Sequence, residues 1–153
     1  LAGTTPVLVH NCGGREPDHA DSCRCANGAS PRPAVQEHEV GRFGDLDGRS
    51  RVRDDLTPNH IPQAASGRID NYRDYAAHMM KDADHRLTRT YGGAGRRTAR
   101  LDAGLTNRQV VARDLWDLRS IGQKQYGDPS YFNEDIKGIL NYYRSNNPDL
   151  LER

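Results

Sequence analysis

An α+β domain with a small core is what this sequence predicts, and three observations predict it. Two stretches in the last third carry apolar residues at helical spacing. One short run, Ala76 to Met80, reads as a strand. Only 35% of the 153 residues are hydrophobic while 28% are charged, with 15 Gly and 8 Pro. The expected arrangement is a short hairpin with one helix beside it, wrapped by the C-terminal helices.

Taken in order, the chain opens with LAGTTPVLVHNC, where an apolar run from Pro6 to Val9 ends in His10-Asn11-Cys12. Residues 12–50 are rich in Gly, Pro, Ser and charge and carry no helical period, so CANGASPRPAVQEHE reads as linker. Order is expected to begin near Val40 to Leu46 and to strengthen after Leu56, dividing the chain into 1–11, a flexible 12–39, and a domain over 40–153. In DDLTPNHIPQAASGR two prolines bracket Asn59-His60-Ile61, which opposes helix and favours an extended, kinked segment. After the strand at Ala76–Met80, KDADHRLTRTYGG offers Asp82 as a helix cap and Gly92-Gly93 as its end.

The last third is helical. TNRQVVARDLWDLRSIG begins with Thr106 and Gln109 at capping-box spacing and repeats Val111, Leu115 and Leu118 along one face, with Trp116 flanking. NEDIKGILNYYRSNNP starts at Asn133, lines up Ile136, Ile139, Leu140 and Tyr143, and stops before Pro148. Both helices read as packing elements.

Composition sets the outer limits. A net charge of +1, from 22 basic and 21 acidic residues, excludes a uniformly basic nucleic-acid binder but leaves local patches open. No apolar run approaches the ~20 residues of a membrane span, and no basic start leads into an apolar stretch as a secretory signal does. The Leu-Ala-Gly opening without Met suggests a piece of something longer. Cys12, Cys23 and Cys25 crowd the first 25 residues, a poor disulfide framework. Cys23 and Cys25 with His19 or Cys12 could grip zinc, but the one-residue gap is not a common zinc-finger spacing, and a thiol-bearing linker is the plainer reading.

LAGTTPVLVHNC resembles the C-terminal end of a Hint (intein-like) self-processing domain: a strand, a His, an Asn, then a nucleophilic residue. The chemistry fits these residue types. An Asn amide can attack its own backbone carbonyl, forming a succinimide and breaking the next peptide bond, while the adjacent His gives a proton to the leaving amine. The resemblance implies that His10 assists, Asn11 cyclises, and the bond to Cys12 breaks. Hint domains often precede the C-terminal toxin domain of bacterial polymorphic toxins, so residues 1–11 would be a Hint remnant and the rest the payload.

LTPNHIPQAAS followed by AAHMMKDADHRLTRTYGG resembles the HNH/endonuclease VII (His-Me finger) superfamily over residues 40–100. That family is built on a ββα-metal unit, so the resemblance implies a small core of that kind with added C-terminal helices. It implies His60 as general base, with His85 and the neighbouring residue as metal ligands. Asn59 stands where family members carry Asp or His; a neutral amide is a weaker ligand than a carboxylate, so Asp84 or Asp55 could contribute instead. The ion would be Mg²⁺ if oxygens complete its shell, with Zn²⁺ or Ni²⁺ suited to a His ligand and Mn²⁺ a further possibility.

The residues support this chemistry independently. Phosphodiester cleavage needs an activated water, an acceptor for its proton and a cation to absorb charge. A neutral imidazole, with an ordinary pKa of ~6.5, suits the acceptor role. Arg86, Arg89, Arg96, Arg97 and Arg100 follow His85 closely and could grip phosphates, or form only a solvated face. His78, mid-strand, reads as structural or substrate-facing; His19 and His38 fall in the linker and receive no role. Thr88 and Thr90 could touch phosphate or cap backbone.

The expected function is therefore a metal-dependent endonuclease toxin acting on DNA, exported within a larger protein and active in the cytoplasm of a target cell. An immunity protein would protect the producer. A ribonuclease is the near alternative. A zinc deaminase fits poorly, because His38-Glu39 lacks the His-x-Glu and Pro-Cys-x-x-Cys spacing. A non-enzymatic module docking through its C-terminal helices is the alternative from another class.

Overall fold

The computed structural model describes residues 32–152. The residues expected to self-cleave, His10, Asn11 and Cys12, the expected Hint remnant, His19, Cys23 and Cys25 lie outside them. The described chain is a mixed helix-and-strand fold. Its sheet is formed by β1 (Val40–Arg42), β2 (Leu56–His60) and β3 (Ala76–Lys81), antiparallel in the order β1-β3-β2. The helices are α1 (Phe43–Asp47), α2 (Asp82–His85), α3 (Gly93–Leu101), α4 (Asn107–Tyr126) and α5 (Asn133–Asn146). Single 3-10 turns occupy Ala64–Ser66, Tyr72–Asp74 and Pro148–Leu151.

The central strand explains the architecture. Residues Ala76 to Met80 of β3 are all buried, because successive side chains point to opposite faces and both faces are covered. Ala76 and Met80 meet Val111, Leu115, Leu118 and Ile121 of α4 and Ile136, Ile139 and Tyr143 of α5. Ala77 and Met79 meet Phe43 and Leu46 of α1 and Val35. Each such fully buried large apolar side chain contributes roughly 1.5–3 kcal/mol. Tyr143 also bolts the helices to the sheet, its hydroxyl donating to Ile61 O at 2.5 Å and accepting from Ala76 N at 2.9 Å.

The two long helices form where their spacing places them. Thr106 and Gln109 close the capping box, and α5 begins at Asn133 and ends before Pro148. The first of them runs through Gly122 to Tyr126 and is closed by Gly127, which takes the left-handed conformation at φ 69°. Gly122 is instead a packing position: a Cβ there would lie 2.7 Å from Asp128 O.

Two other expectations change. The helix expected from Asp82 to Gly92-Gly93 is a single turn. Thr88 Oγ1 donates to His85 O at 2.8 Å, and the Arg89 N–H that would continue the helix donates to Asp117 Oδ2 at 2.7 Å. Gly92 and Gly93 then lead into α3 rather than ending a helix; Gly92 has φ 53°. The part of the expected 12–39 linker that lies within the described residues is ordered instead, because residues from 32 onward join the fold. Val35 is buried, His38 N donates to Met79 O at 2.8 Å, and Met79 N donates to Glu39 O at 2.8 Å. Among the described residues no helix is long and apolar enough to cross a membrane.

Candidate functional site

Asn59 and His60 are the last two residues of β2, and His85 ends the turn of helix that follows β3. His85, 25 positions beyond His60, joins these two residues in lining one cavity of about 340 Å³. Gln63 and Ala64 form its floor after β2, and Thr90, Tyr91, Gly92, Gly95 and Arg96 close it from the α3 side. The close approach of that side depends on Gly95, where a Cβ would lie 2.7 Å from Thr90 O and 3.0 Å from Gln63 Oε1. The buried Gln63 amide ties the two walls together. Oriented to satisfy its neighbours, its nitrogen donates to Gly95 O at 2.6 Å and its oxygen accepts from Ala99 N at 3.2 Å.

The two imidazoles are held differently. His60 stacks on Phe43 with ring centroids 3.6 Å apart and meets Tyr75 edge-on at 6.1 Å. Its Nε2 is buried and finds no hydrogen-bond partner among the described residues. His85 has Nδ1 3.3 Å from Thr57 Oγ1 and its ring edge-on to Tyr91 at 5.1 Å. Burial, then proximity to His85, lowers the His60 pKa to about 4. Burial, then His78, lowers that of His85 to about 4, against an opposing pull from Asp82. Both rings are therefore neutral at neutral pH, the form that accepts a proton or binds a metal.

Asn59 is positioned from behind. Pairing sets it opposite His78 on the same face of the sheet. His78 is fully buried, with Nδ1 2.7 Å from Asp135 Oδ2 and Nε2 3.2 Å from Asn59 Nδ2. A carboxylate only accepts, so the His78 proton sits on Nδ1 and Nε2 accepts from the amide. This orients Asn59 with Oδ1 as its remaining free atom. Of the two readings open for His78, the structural one holds. Asp135 also takes His38, whose Nδ1 lies 3.0 and 3.1 Å from its two oxygens. The linker histidine given no role thus helps to fix α5 against β3.

The arginines divide. Arg96 lines the cavity and Arg97 is exposed on α3. Arg86 is exposed, with Nε 2.7 Å from Asp82 Oδ2 and its guanidinium 5.9 Å from the Tyr91 ring centre. Arg89 is not a phosphate ligand: its guanidinium is spent inside the fold, 2.5 Å from Asp114 and 2.8 Å from Asp102. Arg113 adds a second cation to Asp102 at 2.6 Å.

The donor set bears on which ion could fit. Two neutral imidazoles and an amide oxygen line the cavity, and no carboxylate does. Asp84 is buried elsewhere, accepting from the Tyr126 hydroxyl, and Asp55 is exposed at φ 57°. Neither supplements Asn59. Imidazole nitrogens suit Zn²⁺ or Ni²⁺ better than Mg²⁺ or Mn²⁺, which prefer oxygen ligands. Among the described residues no group of three His, Cys, Asp or Glu side chains is placed to hold a metal, so water or substrate oxygens would have to complete the shell around His85 and Asn59.

Tyr91, Gln63 and Gly95 belong to this site but carry no signal of it in the sequence. Only the RTYGG stretch directly after the helical His could have drawn attention to the tyrosine. Compared with protein-family models, curated proteins and solved structures, the chain matches none.

Proposed function

We propose that this chain is a metal-dependent endonuclease with a ββα-metal core formed by β2, β3 and α2. In the proposal it is the toxin domain of a larger exported protein, cuts DNA in the cytoplasm of a target cell, and is neutralised by an immunity protein. The observation that carries the reading is the shared cavity: His60, His85 and Asn59 converge with Arg96 on one cleft although up to 37 positions separate them in the sequence. The order strand, strand, helix, with one His closing the first strand and another on the helix, is what the ββα-metal resemblance expects.

In this mechanism His60 takes the proton of the attacking water on Nε2, the buried nitrogen left without a partner. Phe43 and Tyr75 fix the ring plane, so the lone pair has one direction. His85 and the Asn59 carbonyl would hold the divalent ion, which offsets charge on the phosphate and leaving oxygen when bound. Arg96 meets a non-bridging phosphate oxygen at the cavity rim.

The test incubates the full chain with plasmid and Zn²⁺, Ni²⁺, Mn²⁺ or Mg²⁺, with and without chelator, beside His60→Ala and His85→Ala. Thermal melting of each variant checks folding. Chelator-sensitive nicking lost in both folded variants is expected. Cleavage retained by both would reject the site, and no cleavage of DNA under any ion would reject the function.

A further inference from the structure

A second pocket, of about 470 Å³, lies between α4 and the turn that leads into α5, lined by Trp116, Arg119, Ser120, Gln123, Lys124 and Asn133. Three features separate it from an ordinary solvated groove. Trp116 is 68% exposed, an indole face left open to solvent. Arg119 and Lys124 are exposed, no acidic residue lines the pocket, and neither cation is ion-paired among the described residues. Asn133 Oδ1 is buried without a donor. Such an acceptor costs free energy unless a ligand supplies an N–H.

We infer that this pocket binds an unpaired nucleotide of a nucleic-acid strand, the base stacked on Trp116 and donating to Asn133 Oδ1, the flanking phosphates on Arg119 and Lys124. An aromatic platform between cations is what single strands require. The open indole beside that acceptor argues for a base over an acidic protein surface. A base supplies both a ring to stack on Trp116 and an N–H for Asn133, whereas carboxylates supply only charge. The inference rests on the proposed function only for the identity of the polymer.

Trp116 is the sole tryptophan of the chain, so stacking reports itself. The experiment titrates the full-length His60→Ala variant, chosen to spare the probe, with a short single-stranded oligodeoxynucleotide and reads tryptophan fluorescence. Tripolyphosphate and polyglutamate serve as comparisons. Saturable quenching by the oligonucleotide alone is expected. With a labelled oligonucleotide read by anisotropy, Trp116→Ala should weaken binding about tenfold. Arg119→Gln with Lys124→Gln should flatten the slope of log affinity against log salt by about 1.4, from ~0.7 per phosphate. Asn133→Ala should weaken oligonucleotide but not tripolyphosphate binding.

Absence of quenching overturns the inference, as does quenching by polyglutamate alone, which would make the pocket an acidic-protein site. Equal affinity for tripolyphosphate, unchanged by Trp116→Ala, overturns it by reducing the pocket to charge. The readout does not depend on cleavage. Wild-type protein that nicks plasmid while its variants show no quenching would sink this inference alone. Quenching without nicking under any ion would sink only the nuclease.

Discussion

At the scale of single residues, what matters most is which side chains the fold consumes and which it leaves free. Arg89 and Arg96 look alike in RTYGGAGRR, yet one is half-buried and paired to two buried aspartates and the other faces the cavity. Arg89→Met should cost roughly 3 kcal/mol in chemical denaturation, because it leaves the buried Asp114 without its cation while Asp102 keeps Arg113. Arg96→Ala should leave the melting temperature unchanged and raise KM for DNA. The opposite pattern would return Arg89 to the substrate. The neutral histidines make a second prediction. Their pKa values fall from 6.5 in the unfolded chain to about 4 in the fold, so the unfolded state binds more protons between these values. Stability should decline as pH falls from about 6.5 toward 4. Asp114, which burial pushes up from 3.8 to about 6 despite Arg89, acts in the opposite sense. In chelator, replacing both His60 and His85 with Gln should therefore reduce the drop in melting temperature between neutral and acid pH. An unchanged drop would show that these rings are as wet as in the unfolded chain.

At the scale of elements, legibility followed how local the cause was. The two C-terminal helices are written in nearby residues: the capping box at Thr106 and Gln109, the apolar stripe of Ile136, Ile139 and Tyr143, the stop before Pro148. The strand at Ala76–Met80 is equally plain, and the proline-bracketed Asn59-His60 does form an extended segment. The one-turn helix at Asp82–His85 was not legible, because it ends when Arg89 N finds Asp117, a residue 28 positions away. Gly92-Gly93 is ambiguous on its own terms: glycine can close one helix or precede another, and only the packing of α3 over the cavity decides. That packing supplies a prediction. Gly95→Ala places a methyl 2.7 Å from a backbone oxygen, and the displaced wall should cost about 1–3 kcal/mol and lower cleavage more than Arg96→Ala does. A fully active, equally stable Gly95→Ala protein would show that α3 does not bound the site.

At the scale of the whole molecule, the site is held by a chain of contacts that begins on α5. Asp135 fixes His78, and His78 fixes Asn59, so a carboxylate beyond the central strand orients a proposed ligand. Asp135→Asn should raise the metal concentration for half-maximal cleavage about tenfold, as loss of an outer-shell partner does elsewhere. A drop in melting temperature with no shift in metal requirement would reduce Asp135 to a structural role. Sequence reasoning could pair His60 with His85 but not foresee this relay, because nothing local links positions 59, 78 and 135. The edge segment 35–42 has a consequence of its own. It covers one flank of β3, donates His38 to Asp135 and adds Val35 to the core beneath Phe43. Residues 35–42 should therefore resist limited proteolysis. A chain trimmed to begin at Val40 keeps β1 on β3 but leaves Met79 N and O unpaired and the core without Val35. The eight residues before β1 thus guard the bare end of that flank, and their loss should promote self-association there.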